Sequence, residues 1–219
     1  MRAFLAFATA FISLSLFAQG SLAQYKEGEH YTELTVPLNA SSKKIQVEEF
    51  FAYSCPHCRT FEAQVTGWKS TLAKDVKFMP TPVAWQLKEE GERGHEMVVM
   101  AKAYYLGKFL KVLNTIHPAM FQAVITERKS FKNAADLWPI FEAAGVDKAK
   151  FDKLYKNYGI DSKVRIGHSR QLGAQITATP EIIVDGRYSV KPESGLDVLR
   201  VVDFLINKIR LERAALAQG

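Results

Sequence analysis

Apolar and polar residues alternate over Ile45-Gln46-Val47-Glu48-Glu49-Phe50-Phe51, and then the period lengthens. The odd positions of that stretch, Ile45, Val47, Glu49 and Phe51, share one face, so the pattern predicts a strand. Glu49 stands inside an otherwise apolar row, an expensive place for a lone acid unless it has a partner or a task. From Cys58 onward Phe61, Val65, Trp68 and Leu72 recur at helical spacing. Asp75 to Met79 predicts the next strand and closes a β-α-β unit. Tyr31 to Val36 predicts a short strand ahead of it, followed by a Pro-Leu-Asn-Ala-Ser-Ser loop.

Between about Trp85 and Gly173 the pattern is helical. Met97, Ala101, Tyr104 and Tyr105 share a face within His95 to Leu106. Pro118 is expected to open a helix through Met120, Phe121 and Val124. Asp136-Leu137-Trp138-Pro139 reads as a cap and first turn of a helix ending near Gly145. Asp147 to Tyr158 groups Phe151, Leu154, Tyr155 and Tyr158, with Gly159 as a stop, and Asp161 or Ser162 starts the next helix. Strands then return: Glu181 to Val184 and Arg187 to Val190 flank Asp185-Gly186, a pair suited to a type I′ hairpin. Leu199, Val202, Ile206 and Ile209 form the apolar stripe of a last helix. The order is one α/β layer interrupted by a helical insertion.

The first residues change the setting. Arg2 precedes an uncharged apolar run from Ala3 to Ala18, and Ser21-Leu22-Ala23 supplies small residues at the exit. That is the pattern of a secretory signal, with cleavage expected after Ala23; the run is shorter than the ~20 residues of a spanning helix. An exported chain meets oxidants, so a disulfide can persist there. The net charge of +6 is spread along the chain with no compact basic patch, which argues for a solvated surface and against nucleic-acid binding.

The chain has only two cysteines, Cys55 and Cys58, in Ser-Cys-Pro-His-Cys-Arg at the turn from strand to helix. Three readings exist: a metal clip, a stapling disulfide and a disulfide made to be given away. One C-x-x-C supplies two thiolates where a structural zinc site usually takes four ligands, and a bridge over so short a loop restricts the unfolded chain little. Redox chemistry is therefore favoured. Pro56 suits the first helical turn. The free N–H groups there, and the cation of His57 when protonated, favour a Cys55 thiolate over a neutral disulfide. A disulfide whose reduced form is favoured is an oxidant. Cys55 is expected to be accessible and Cys58, one turn on, covered. His95, His117 and His168 share no ligand spacing, and Trp68, Trp85 and Trp138 read as core.

Glu-Phe-Phe-x-x-x-Cys-Pro-His-Cys, Glu49 to Cys58, with Ala-Thr-Pro-Glu, 178–181, before an Ile-Ile-Val strand, resembles the DsbA family of periplasmic thiol:disulfide oxidoreductases. The resemblance covers the whole chain beyond the signal. It implies a thioredoxin fold interrupted by an all-helical domain, with residues 1–23 a signal peptide, 24–84 and 174–219 the two halves of the thioredoxin-like domain and 85–173 the insertion. It implies that Cys55 is the nucleophile, Cys58 its buried partner, and Pro56 and His57 the dipeptide between them. Thr179-Pro180 would be a cis bond beside the disulfide, exposing the Thr179 backbone to an extended substrate. Glu49 would be a buried acid relaying protons to Cys58, and Glu62 a second acid nearby.

The implied activity is a periplasmic dithiol oxidase that donates the Cys55–Cys58 disulfide to reduced, unfolded exported proteins. A quinone-linked membrane partner of the DsbB type would reoxidise it. A monomer without metal or organic cofactor is expected. A disulfide isomerase or reductase, and a non-catalytic chaperone-like binding module, are the alternatives. Two positions depart from the best-known members. Met79-Pro80-Thr81-Pro82 lacks the lysine that accompanies the buried acid, and Thr179 stands where some members have valine.

Overall fold

The computed structural model describes residues 25–40, 43–192 and 197–218. The expected signal peptide and its cut after Ala23 lie outside them. Five strands form one sheet in the order β1-β5-β4-β2-β3, with β1 Thr32–Glu33, β2 Ile45–Phe51, β3 Val76–Pro82, β4 Glu181–Val184 and β5 Tyr188–Val190. β2 runs parallel to β3 and antiparallel to β4, and so joins parts of the chain that lie on either side of the helical block.

The odd face of β2 packs on the helices α1, Pro56–Lys69, and α7, Val198–Leu216. Ile45, Val47, Val65, Ile182, Val184, Val202 and Leu205 make that core, each 2% exposed or less. Phe50, Ile183 and Ile176 make a smaller cluster on the other face. β2 is buried on both faces, so Glu48 as well as Glu49 is out of water.

β3 runs three residues past its expected end, through Pro80 and Pro82. The N–H of Val83 bonds to the Phe51 carbonyl, so the odd residues of β3 turn toward β2 and the even ones toward the open edge. Both prolines thus occupy positions where the missing N–H faces outward, as an edge strand permits.

Between β3 and β4 lie α2 His95–Phe109, α3 Leu113–Phe121, a π-helical turn Gln122–Thr126, α4 Ala134–Ala143, α5 Lys148–Tyr155 and α6 Tyr158–Gly173. Three expected boundaries are corrected, two of them by caps. Pro118 lies within α3, which begins five residues earlier at Leu113. Asn133 caps α4 by accepting from the N–H groups of Ala135 and Asp136, so Asp136 is a first-turn residue. Gly159 is the second residue of α6 and not a stop. Asn157 caps that helix by accepting from the Gly159 N–H at 2.7 Å, and a Cβ at 159 would meet the same Asn157 oxygen at 2.8 Å.

The hairpin turn has Asp185 at φ 53° and Gly186 at φ 69°, the positive pair of a type I′ turn. A Cβ at Gly186 would lie 2.3 Å from the Leu38 carbonyl oxygen. Gly186→Ala is therefore expected to destabilise the protein by about 2 kcal/mol in urea unfolding, with strain and steric displacement acting together.

Candidate active site

The chain leaves β2 through Ala52–Ser54 and enters α1 at Pro56, with Cys55 as the N-cap in extended geometry. Its sulfur accepts the Cys58 backbone N–H at 3.3 Å. That places it at the positive end of the helix. Cys55 is half-buried, Cys58 is 1% exposed, and the two are unbridged in this structure. The Thr179–Pro180 peptide is cis, and its threonine comes in from 124 residues away: the Thr179 carbonyl accepts from the Cys55 thiol at 3.2 Å.

A hydrogen bond from the Cys58 side chain lowers the Cys55 pKa most. The Thr179 side chain and the backbone N–H groups of Cys58 and His57 add to it, and together they outweigh burial and bring the thiol from 9.0 to about 5. Cys58 moves the other way, pushed up first by its bond to Cys55 and then by burial. His57 contributes its backbone amide. Its imidazole is exposed beside the groove described below.

Glu49 is fully buried and its pKa rises from 4.5 to about 8, chiefly from burial, then from the charge of Glu62; Lys69 opposes the rise and Cys55 adds to it. Pro80 is the β3 residue in register with Glu49, so that strand offers no cation there. Lys69, at the end of α1, is the positive group instead, and it lies 3.4 Å from Glu62. The missing strand lysine is thus replaced from a different element.

His117 belongs to this region as well, which its isolated place in the sequence does not indicate. Its Nδ1 lies 2.8 Å from the Tyr53 hydroxyl and its Nε2 3.4 Å from Glu62. The ring packs edge-on against Phe51 and Phe121. A hydrogen bond and the charge of His117, with help from Lys69 and Thr66, hold Glu62 below the usual carboxylate range in spite of burial. Two adjacent acids are thereby set apart, Glu49 protonated and Glu62 ionised near neutral pH. Tyr53→Phe keeps the ring packing and removes the bond to His117. It is expected to lower stability by about 1 kcal/mol in denaturant unfolding.

A groove of about 610 Å³ opens beside Cys55, between His57, Thr60, Phe61 and Gln64 of α1 and the segment Ala178–Glu181, with Lys191 and Val198 closing it. Glu181 is buried there. Ser189 donates to one of its oxygens at 2.5 Å and the other has no protein partner. Met97 packs against the same apolar cluster as Cys55, and its sulfur accepts from the Ser54 hydroxyl at 3.7 Å. Nothing in the local sequence marks Met97 or His117, because α2 and α3 reach the site only through packing. Trp68 is core and donates to Asp203, whereas Trp85 is 38% exposed and departs from the core expectation. Among the described residues no group of three or more His, Cys, Asp or Glu could hold a metal ion.

A family model described as thioredoxin matches residues 39–203. A thiol:disulfide interchange protein DsbA of Bordetella parapertussis is 33% identical over 93% of this chain and 94% of its own length. The protein of that name from Pseudomonas aeruginosa is 30% identical over 94% of this chain and 96% of its own. The crystal structure of Pseudomonas aeruginosa DsbA superposes with a TM-score of 0.76 at 29% identity, covering 88% of this chain and 97% of that one. The oxidoreductase DsbA from Xylella fastidiosa gives 0.75 at 27% identity over 85% of this chain and 98% of that one.

Proposed function

We infer, for a chain that belongs to the DsbA family of thioredoxin-fold thiol:disulfide interchange proteins, that it is the oxidant of that exchange and gives its Cys55–Cys58 disulfide to reduced exported proteins. One observation carries the direction: Cys55 is far more acidic than an ordinary thiol, at about 5, so the dithiol form is favoured over the disulfide. DsbA proteins are themselves the reference case for a cysteine of this kind, so the direction follows the family. What this chain adds is the set of groups that produce it.

In the oxidised protein a substrate thiolate attacks Cys55, the more accessible sulfur of the pair. The S–S bond to Cys58 breaks as the bond to substrate forms, and the Cys58 thiolate takes up a proton. Glu49, fully buried and protonated up to about pH 8, is the acid we assign to that proton. A second substrate thiolate then attacks the substrate sulfur of the mixed disulfide. Cys55 leaves as the thiolate that α1 stabilises, the substrate is oxidised by two electrons, and the protein carries the dithiol. Thr179, with its carbonyl turned to Cys55, borders the groove where an extended substrate backbone would pair, and Pro180 holds it there.

The periplasm is the compartment we assign, reached through the signal segment at 1–23, and a quinone-linked membrane protein of the DsbB type is the reoxidant. The protein is taken to act as a monomer. The purified disulfide form is expected to oxidise a reduced, unfolded protein well above the rate in air, with Ellman titration of substrate thiols as the measure. No acceleration would overturn the oxidase reading. A Cys55→Ser/Cys58→Ser protein that still restored function in cells would favour the binding-module alternative.

A further inference from the structure

A second concavity, of about 480 Å³, shares no lining residue with the groove at Cys55. It lies between the C-terminal end of α2, one side of α6 from Gly159 to Arg170 and β3, within the size range of small-molecule sites, ~300–1,000 Å³. Its walls carry two large apolar side chains left in water, Phe109 at 63% and Ile166 at 50% exposure, with Met79 between sheet and helix.

Its charge is one-sided. Lys77, Lys108 and Lys163 line it, and among the described residues none of the three has a carboxylate partner. Burial and then the charges of Lys77 and Lys163 lower the pKa of Lys108, so the ammonium groups sense one another across the cleft. The acid on the floor does not relieve them. Glu48 is 1% exposed and fully engaged, by Arg170 at 2.5 to 3.0 Å through three contacts and by the Thr81 hydroxyl at 2.6 Å. The open cleft is therefore apolar with a cationic rim.

The strand that forms one wall also limits what can enter. Pro80 and Pro82 occupy the outward-facing positions of β3, so a peptide cannot extend the sheet there through the usual N–H donors. Whatever occupies the cleft must be held by side chains.

We propose that this cleft binds an amphipathic anion of the fatty-acid class, with its aliphatic tail between Phe109, Ile166 and Met79 and its carboxylate among Lys77, Lys108 and Lys163. The tail removes exposed apolar surface from water. The head supplies the counter-charge that three clustered lysines lack. The site is separate from thiol exchange and stands whether or not the oxidase reading does.

The test uses the purified protein, ¹⁵N-labelled, and dodecanoate below its micelle concentration. Saturable shifts are expected at the amides of Phe109, Ile166 and Gly167 and not at Cys55 or Thr179. Dodecyltrimethylammonium, which has the tail with the opposite charge, and acetate, which has the head alone, are expected to give no saturation. Lys108→Glu/Lys163→Glu is expected to weaken dodecanoate about tenfold, or ~1.4 kcal/mol, with thiol-exchange activity unchanged. Both lysines are exposed at the surface and neither has a carboxylate partner among the described residues, so folding should be kept; Ile166→Ser, which removes tail contact alone, serves as the second variant. Equal binding of the cationic amphiphile, or unchanged dodecanoate affinity in both variants, overturns the proposal. So does binding to phosphatidylglycerol vesicles, or to an acidic peptide, without saturable binding of dodecanoate.

Discussion

The reduced protein is expected to resist unfolding better than the oxidised one at pH 8, and the gap is expected to close as the pH falls through 5. The cause is the Cys55 thiolate. Folding lowers its pKa from 9.0 to about 5, first through the Cys58 side chain and then through Thr179 and the backbone at the start of α1. At about 1.4 kcal/mol per pH unit, with roughly half lost to solvent screening because the sulfur is half-exposed, about 2–3 kcal/mol remains. The sign follows from which state holds the proton. Above pH 9.0 both folded and unfolded thiols are ionised and the full stabilisation is present. Below that the unfolded thiol is protonated while the folded one is not, and the contribution shrinks until it vanishes below 5.

The oxidised form lacks this ionisation. Its own restriction of the unfolded chain is small for so short a loop and does not vary with pH. The slope of the difference therefore reports the thiolate, together with the smaller change that its charge makes at Glu49. In a chain of this size the expected separation in Tm is about 5–10 °C at pH 8, and the corresponding rise in reduction potential is about 45–65 mV. Calorimetry of both redox forms across pH 4 to 9 would measure it. A disulfide form that is the more stable at pH 8 would contradict both the pKa and the donor role.

Glu49→Gln is expected to stabilise the protein and slow it. Burial holds the Glu49 proton up to about pH 8, against 4.5 for an ordinary glutamate. Between those values the unfolded chain releases a proton that the folded chain keeps, so wild-type stability falls as the pH rises. The variant's advantage is then absent below 4.5, about 3 kcal/mol at pH 7, and constant above 8. Urea unfolding at pH 4.5 and pH 7 would show the difference, and equal gains at both would place its origin in packing. Exchange is expected to slow by up to about 100-fold in the step that protonates Cys58, since the amide neither gives nor takes a proton. A gain in stability with a loss in activity is the expected mark of a functional buried acid.

The two acids of β2 illustrate what local pattern conveys. Position 49 was marked by a carboxylate in an apolar row, because alternation assigns faces whatever the rest of the chain does. Position 48, on the other row, carries no such mark. It reads as a solvent-facing residue until both sheet faces are seen to be covered and Arg170 is found 122 residues away. The same holds for His117, which becomes an active-site neighbour only when α3 packs against Phe51 and Tyr53.

By itself the sequence determined the cysteine pair at a strand-to-helix corner, β2, the Asp185-Gly186 turn and the apolar stripe of α7. Each depends on backbone geometry and side-chain spacing within a few residues. Only the tertiary structure decided that β3 can run through two prolines, that Lys69 supplies the cation missing from the third strand, and that Thr179 meets Cys55. Those outcomes depend on which surfaces are buried together, since burial alone turns an exposed charge into a raised pKa and a distant threonine into a hydrogen-bond partner.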